Sequence, residues 1–419
     1  MTQHFDSIVI GAGQAGLVMS HLLGQVGRDH VVLERHKIGE RWQSERWDGL
    51  RFQYPNWSLR LPGKDYSGPD PEGFASHHEI HRFLTDYAAQ IAAPVREGVA
   101  VSRLGVDPSG KGYSLQTSGG PMTARNVVIA TGPFQRSNIP EVAAQFPASI
   151  QQTDATSYRN PDALPPGSVL VVGSGASGCQ IADELNKWGR SVFLCVSRHR
   201  RVPRRYRGRD MIWWFEKLGR YDVQIDNFPG RNHPPSTVVT GVDGGYDVDL
   251  RQSARNGVQL LGRLTGMRDG VAHFGDDVNA VLDESDRAFD DFRIAADTLA
   301  LRPDIATHVQ PAEPADDAGA REPVAMLPTL DLKEAGISSV IWATGYRFDY
   351  DWIDLPILDG AGKPVQTRGV TACPGIFFLG LHWMHTFKSG QFSFVHEDAA
   401  YIVDRLLEEA RSAPETRLH

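Results

Sequence analysis

Residues 169–185 read VLVVGSGASGCQIADEL, a strand of small apolar residues that runs through three glycines into a helix. Residues 8–22, IVIGAGQAGLVMSHL, contain the same device. A chain of 419 residues exceeds what one ordinary core organises. The repeated stretch says how it divides: two βαβ units, each with its own glycine loop.

In the first unit Ile8, Val9 and Ile10 form a buried strand, and Gly11, Gly13 and Gly16 follow in GxGxxG spacing. The first glycine makes the tight turn, the second lets backbone approach a pyrophosphate, and the third lets helix and strand pack closely. The pyrophosphate then sits at the positive end of the helix. A second strand, HVVLE, ends in Glu34, followed by Arg35. An acid there accepts hydrogen bonds from an adenosine ribose and disfavours a 2′-phosphate, so this site expects FAD or NAD. A lone GxGxxG is a common turn of a parallel sheet; the complete unit is far more specific.

The second unit carries Gly173, Gly175, Ser177 and Gly178, then a helix through Leu185 or Lys187, then the strand SVFLCVS. Counted from Gly173 as Glu34 is from Gly11, the corresponding position is Val196, with no acid beside it. Ser197 and Arg198 follow, opening the basic run RHRRVPRRYRGR of residues 198–209. An arginine at that strand end accommodates a 2′-phosphate, so the second site expects NADPH. One loop therefore serves FAD, the other the NADPH that reduces it. The alternative to a phosphate-binding role is a solvated surface loop, a common fate of charge runs. Arg204, Arg205, Arg207 and Arg209 would also suit a carboxylate substrate.

VVIATGPF (127–134) and VIWATGYRF (340–348) are each a hydrophobic strand followed by Ala-Thr-Gly and an aromatic residue. Thr131–Gly132 and Thr344–Gly345 read as paired hinges where the chain leaves one nucleotide domain for the other. The fold class expected is α/β, with two Rossmann-like dinucleotide-binding domains, the second inserted into the first. Residues 1–165 would be the first part of the FAD domain, 166–335 the NADPH domain with an insertion at about 204–330, and 336–419 the C-terminal part of the FAD domain. In that last part GIFFLGLHW (375–383) reads as a buried strand ending in Gly380. After Gln391, residues 392–410 read as an amphipathic helix whose start faces the flavin. The insertion reads as irregular: MIWWFEKL at 211–218, a turn region at 239–250, an acidic stretch near 276–291 and a loop at 308–323. It is expected to cover a substrate pocket, with packing the simpler role for Trp213 and Trp214.

The net charge of -8 argues against nonspecific nucleic-acid binding. No apolar run approaches the roughly 18 to 20 residues that cross a bilayer, so no membrane span is expected. The N-terminal MTQHFDSIVIG enters a strand at once, without a secretory pattern, and the expected location is cytoplasmic. Cys179, Cys195 and Cys373 form no paired motif, so neither a metal site nor a redox disulfide is expected.

GAGQAG, ERHKIGERW, PNW, the two ATG hinges and GSGASG together resemble the flavin-containing monooxygenases, the NADPH-dependent group that includes the plant YUCCA-type enzymes. The likeness spans nearly the whole chain. WDGLRFQYPNWSLRLPG and RRYRGRD are similar to bacterial flavoprotein oxidoreductases of the same superfamily. The resemblance implies that NADPH reduces FAD, that O2 adds to the flavin C4a, and that the resulting (hydro)peroxide oxygenates a small molecule. N- or S-oxygenation and oxidative decarboxylation of a 2-oxo acid are the implied reactions. By position, Asn56 maps onto the family's active-site asparagine, although an asparagine after Pro55 is also an ordinary turn residue. Glu40, Arg41 and Trp42 would line FAD, and Gln53 would neighbour the flavin ring.

The family fingerprint FxGxxxHxxx(W/Y) is altered here to FPASIQQTDATSYRNP (146–161). Tyr158 fits, but Ala148 replaces the glycine, and Gln152 or Asp154 stands near the histidine position, which argues against a Baeyer–Villiger enzyme. His382, His385 and His396 are proton-relay candidates, with a structural role simpler for each. The competing functions are an NAD(P)H-dependent flavoprotein reductase without oxygenation and a non-catalytic FAD-binding redox sensor. A homodimer is the expected assembly.

Overall fold

A computed structural model of the chain describes residues 2–227, 236–312 and 321–412. Its main strands are β1 (Gln3–Ile10), β2 (His30–Glu34), β3 (Val95–Glu97), β4 (Val101–Val106), β5 (Tyr113–Thr117), β6 (Met122–Ile129), β7 (Gln151–Asp154), β8 (Ser168–Val172), β9 (Val192–Cys195), β10 (Gln259–Leu261), β11 (Ile337–Trp342) and β12 (Ile376–Phe378). The helices that matter here are α1 (Gln14–Gln25), α2 (His77–Gln90), α3 (Ala176–Lys187), α4 (Val278–Leu299) and α5 (Val395–Ser412).

Two sheets result. The first runs β3-β2-β1-β6-β5-β4, with β12 also pairing with β6; the second, wholly parallel, runs β7-β11-β8-β9-β10. Their centres are built alike. In the first sheet the glycine-loop strand β1 lies between β2 and β6, and in the second β8 lies between β9 and β11. Ile8–Ile10, Val31–Leu33 and Val127–Ile129 are buried, as are Val169–Val172 and Val340–Trp342. Such unbroken apolar runs belong to parallel strands covered on both faces. The fold is therefore α/β with two Rossmann-like regions, as the duplicated loops indicate.

The chain leaves the first sheet after β6 and returns to it at β12, passing an Ala-Thr-Gly each way. Beyond those triplets Arg136–Ser137 and Tyr346–Arg347 pair as an antiparallel ribbon. The hinge segments thus touch each other.

Three sequence expectations need correction. The acidic stretch near 276–291 is the first part of the 22-residue helix α4. Its apolar face, including Val278, Val281, Leu282, Phe289 and Phe292, is buried at helical spacing, while its acids face outward or toward arginines. The C-terminal helix begins at Val395, because Gln391–Phe394 still form a turn. The strand expected at 375–383 spans only Ile376–Phe378. Of the loop expected at 308–323, residues 313–320 lie outside the described residues, as do 228–235 of the expected insertion.

Candidate functional site

Both glycine loops obey the same steric rule. Gly11 and Gly173 have φ of +106° and +105°, and a Cβ on either would meet a carbonyl oxygen of the neighbouring strand end: 2.7 Å from Ala130 or 2.5 Å from Ala343. A Cβ on Gly16 or Gly178 would lie 1.8 Å from the carbonyl oxygen of Gly11 or Gly173. At the middle glycines, Gly13 and Gly175, a Cβ would meet nothing within 4 Å. The outer glycines are therefore required by the fold, whereas the middle ones face open space. Gly13 and Gly175 are also the N-cap residues of α1 and α3, with no side chain capping either helix and no acid in either first turn. Unsatisfied helix N–H groups facing open space are what a phosphate needs, so both loops fit the pyrophosphate of a dinucleotide.

The strand ends differ in charge. Glu34 Oε2 accepts from Ala12 N at 2.9 Å, and Oε1 accepts from His36 N at 3.0 Å, which fixes the carboxylate beside the first loop; Arg35 is exposed. In the second unit Ser174 occupies the place of Ala12, and its N–H lies 3.4 Å from Ser197 Oγ. Ser197 N in turn donates to Ser174 Oγ at 2.8 Å. A hydroxyl thus stands where the first unit has an acid. Arg198, next along, pairs with Glu284 of α4 at 2.7 Å, and Ser177 sits half-buried in the first turn of α3.

Between the loops lie the other sequence-derived residues. Arg41 pairs with Glu45 at 2.9 Å and donates to the Gln135 carbonyl at 3.1 Å. Gln135 Nε2 donates to Thr131 Oγ1 and to the Gly132 carbonyl, and Thr344 Oγ1 donates to the Asn138 carbonyl. The hinges are thereby stitched together beside Gly345, whose φ of +84° is left-handed. Gly380 lies against α1, where a Cβ would come 2.6 Å from Ala15 Cβ, and Gln14 donates to the Gly390 carbonyl at 2.8 Å. Gln391 Nε2 donates to the Phe387 carbonyl at 3.2 Å. Trp42 packs edge-on against Phe52, 5.9 Å between centroids, and lies 6.1 Å from Phe392.

Asn56 is buried. Its Nδ2 donates to the Asp70 carbonyl at 2.9 Å, while Oδ1 has no partner among the described residues. The amide's donor is therefore engaged, and an acceptor is what it offers. Gln53 Nε2 donates to the Val239 carbonyl at 3.2 Å. In the altered fingerprint, Gln152 bonds the Ala143 carbonyl and Trp342 Nε1, Asp154 caps a turn through Thr156 N, and the Tyr158 hydroxyl donates to Glu184 at 2.7 Å. Both positions near the missing histidine serve the linker's own structure. His382 stacks edge-on against Phe134 beside the hinge.

Next to Gln53 a cavity of about 30 Å³ is lined by Tyr54, Phe215, Tyr221, Val239 and Phe387. Tyr221 and Phe387 stack at 5.9 Å. Burial pushes the Tyr54 and Tyr221 phenols up, so both are neutral hydrogen-bonding groups at physiological pH. This aromatic enclosure escaped sequence reading; the aromatic-rich MIWWFEKL was its one visible part. Trp214 is core, donating to the Tyr206 carbonyl at 2.9 Å. Trp213 is half-buried under Arg209.

The basic run is only in part a solvated loop: Arg198 and Arg205 are exposed, whereas Arg201, Arg204, Arg207 and Arg209 are engaged within the protein. Arg204, 1% exposed, forms a two-pronged pair with Asp210 at 2.7 and 2.9 Å. Arg201 pairs with Asp249 and Asp286, Arg207 with Asp297, and Arg209 donates to the His308 carbonyl. Arg205 reaches the Glu72 carbonyl beside an open groove of about 470 Å³, where Asp247 and Asp249 offset the arginines.

Residues 8–209 match the pyridine nucleotide-disulphide oxidoreductase family. An uncharacterised CzcO-like oxidoreductase of Geobacillus kaustophilus is 31% identical over 409 residues, covering 97% of this chain and 99% of the relative. The indole-3-pyruvate monooxygenase YUCCA8 of Oryza sativa is 27% identical over 199 residues, 45% of this chain and 47% of the plant enzyme. Among solved structures, a flavin-containing monooxygenase from Stenotrophomonas maltophilia superposes with a TM-score of 0.68 at 18% identity, over 98% of this chain and 100% of that one. With a relative 31% identical over nearly its full length, the chain belongs to the family of the CzcO-like oxidoreductases, and it shares the fold of a flavin-containing monooxygenase.

Proposed function

We propose that this oxidoreductase is an NADPH- and O2-dependent FAD monooxygenase that oxygenates a small molecule at nitrogen or sulfur. The observation that carries it is the asymmetry of two otherwise matching loops: an acid at the first strand end and Ser197–Arg198 at the second. Gly11, Gly13, Gly16 and Glu34 hold FAD, with Arg41, Trp42, Thr131, Gly132, Gly380 and Gln391 around it. Gly173, Gly175, Ser177, Gly178, Ser197 and Arg198 hold NADPH, and Thr344–Gly345 form the hinge beside it. Bound FAD supplies the redox and oxygen-activating chemistry. The balance is NADPH, a proton, O2 and substrate giving NADP+, water and oxygenated substrate.

The protein's own part is placement and exclusion of water. The aromatic residues beside Gln53 would supply an apolar wall, and the Asn56 Oδ1, which has no partner among the described residues, would be the acceptor for an amide N–H such as a nicotinamide carboxamide offers. The arginines that would attract a carboxylate are engaged with internal acids or carbonyls. With those arginines engaged and the residues beside Gln53 aromatic, the surroundings favour a neutral amine or thioether over a 2-oxo acid.

The test is turnover under ¹⁸O2 with a panel of thioethers, tertiary amines and 2-oxo acids, reading product mass and peroxide yield per NADPH. One labelled oxygen per NADPH in a thioether or amine product, with peroxide suppressed, is expected. Stoichiometric peroxide with every compound would refute oxygenation and leave a reductase, and absence of NADPH oxidation would leave a sensor.

A further inference from the structure

Arg198 already holds an anion. Its guanidinium lies 2.7 Å from Glu284 on α4, with side chains 68% and 47% exposed. Arg200, like Arg198 just beyond β9, and Arg287 on α4 itself act on the same carboxylate, so Glu284 is a counter-charge to guanidinium groups of both segments. The contact is held in place by the backbone beneath it. Ser285 Oγ accepts from Arg201 N at 3.0 Å, and Asp286 bridges Arg251 at 2.9 Å and Arg201 at 3.4 Å. These bonds fix this part of α4 against the segment that carries Arg198.

By internal comparison with the first unit, Ser197–Arg198 stand where an adenosine ribose meets its strand-end residue. We propose that Glu284 is a specificity-determining residue that occupies the anion position of the second dinucleotide site and competes with the 2′-phosphate of NADPH. This rests on the reading of the second loop as the NADPH site. A 2′-phosphate must displace Glu284 from Arg198 or share the guanidinium with it, and either weakens NADPH binding. NADH offers only a neutral 2′-hydroxyl and does not compete. Glu284 therefore narrows the preference that Arg198 creates. An exposed pair of this kind exchanges partners readily, because water and salt screen it.

The dissociation constants of NADP+ and NAD+ are measured by calorimetric titration of the FAD-loaded protein, for the natural chain, Glu284→Gln and Arg198→Gln. Glu284→Gln is expected to tighten NADP+ binding by roughly two- to fivefold, the scale of one exposed ion pair, and to leave NAD+ unchanged. The gain should shrink in 0.5 M salt, where the Debye length falls to roughly 4 Å. Both side chains are exposed, so the fold is not at stake in either variant. Unchanged or weaker NADP+ binding in Glu284→Gln, while Arg198→Gln removes the NADP+ preference, would overturn the inference alone. A preference that survives Arg198→Gln would overturn the underlying site reading and the inference with it.

Discussion

Gly175→Ala separates the two demands that the second loop makes on glycine. Gly175 has φ −70° and ψ −176°, extended backbone that alanine adopts freely, and an added Cβ would meet nothing within 4 Å. Replacing glycine there reduces the freedom of the unfolded chain, worth about 0.4–1 kcal/mol in favour of folding. Alanine is a poorer N-cap than glycine by a comparable amount, so the net change in stability should stay within about 1 kcal/mol. Binding responds differently, because the methyl fills the space through which a pyrophosphate reaches the N–H groups of α3. Loss of one charge-assisted hydrogen bond costs about 1.5–3 kcal/mol, or roughly 10- to 150-fold in NADP+ affinity. Gly178→Ala is the contrast: its Cβ would sit 1.8 Å from the Gly173 carbonyl oxygen, and backbone must move. That variant should lose stability, by about 1–3 kcal/mol or more. The assay is thermal unfolding of the FAD-loaded protein with and without NADP+, alongside an NADP+ titration. FAD content, which the first loop is proposed to secure, should stay at its natural level in Gly175→Ala. Natural NADP+ affinity in Gly175→Ala would refute the reasoning, and so would a loss of stability equal to that of Gly178→Ala.

Glu184 tests a buried contact between the α3 helix and the linker. Burial, reinforced by Asp48 and Asp183, raises its carboxyl above the ordinary value despite the Tyr158 hydrogen bond. A carboxyl raised on folding binds its proton more tightly in the native state, so stability declines as pH rises from the unfolded value of 4.5 through the raised one. Glu184→Gln keeps an acceptor for Tyr158 and should remove that decline in urea unfolding compared at pH 4.5 and 7.5; an unaltered pH profile would count against it. Arg204→Ala strands Asp210, a carboxyl that burial already raises, and should cost about 3 kcal/mol in urea unfolding. Arg204→Met with Asp210→Asn should recover much of the loss, whereas a single-variant cost below about 1 kcal/mol would return Arg204 to the candidates for ligand binding.

What was legible in the sequence was local. Each glycine loop sits inside one βαβ unit, where spacing alone states which glycine turns, which packs and which stays open; Gly13 and Gly175 then behave alike in three dimensions. The strand-end contrast between Glu34 and Ser197–Arg198 was legible for the same reason. Charge partners were not, since the acids that engage Arg201 and Arg207 come from residues 249, 286 and 297, brought in by the fold. The acidic stretch near 276–291 showed its charge more plainly than its period, and so concealed the buried face of α4. The aromatic enclosure draws Tyr54, Phe215, Tyr221 and Phe387 from three distant parts of the chain. Tertiary assembly alone makes it a cavity. Asn56 is a candidate by position, but which of its amide atoms is left without a partner among the described residues is decided by the Asp70 carbonyl, a loop contact that no spacing encodes.

The cysteines bear on where electrons leave the proposed flavin site. Cys179 and Cys195 are buried single thiols, one in α3 and one at the end of β9, and burial raises both, Cys179 to about 12. A thiol that stays protonated is a poor nucleophile toward a disulfide. Cys373, half-exposed, is also raised by burial, and it lies beyond β11 on the way to β12, without a second cysteine near it in sequence. A dithiol relay therefore has no adjacent pair to run through. In the proposed function electrons delivered to the flavin pass to a diffusible acceptor, and the walls of the approach decide which one is favoured. The residues beside Gln53 are largely aromatic and the nearby guanidinium of Arg204 is engaged by Asp210, so a charged acceptor gains no anchor from it. Oxygen and a neutral organic molecule need no such anchor, which is the physical ground on which oxygenation is proposed over reduction.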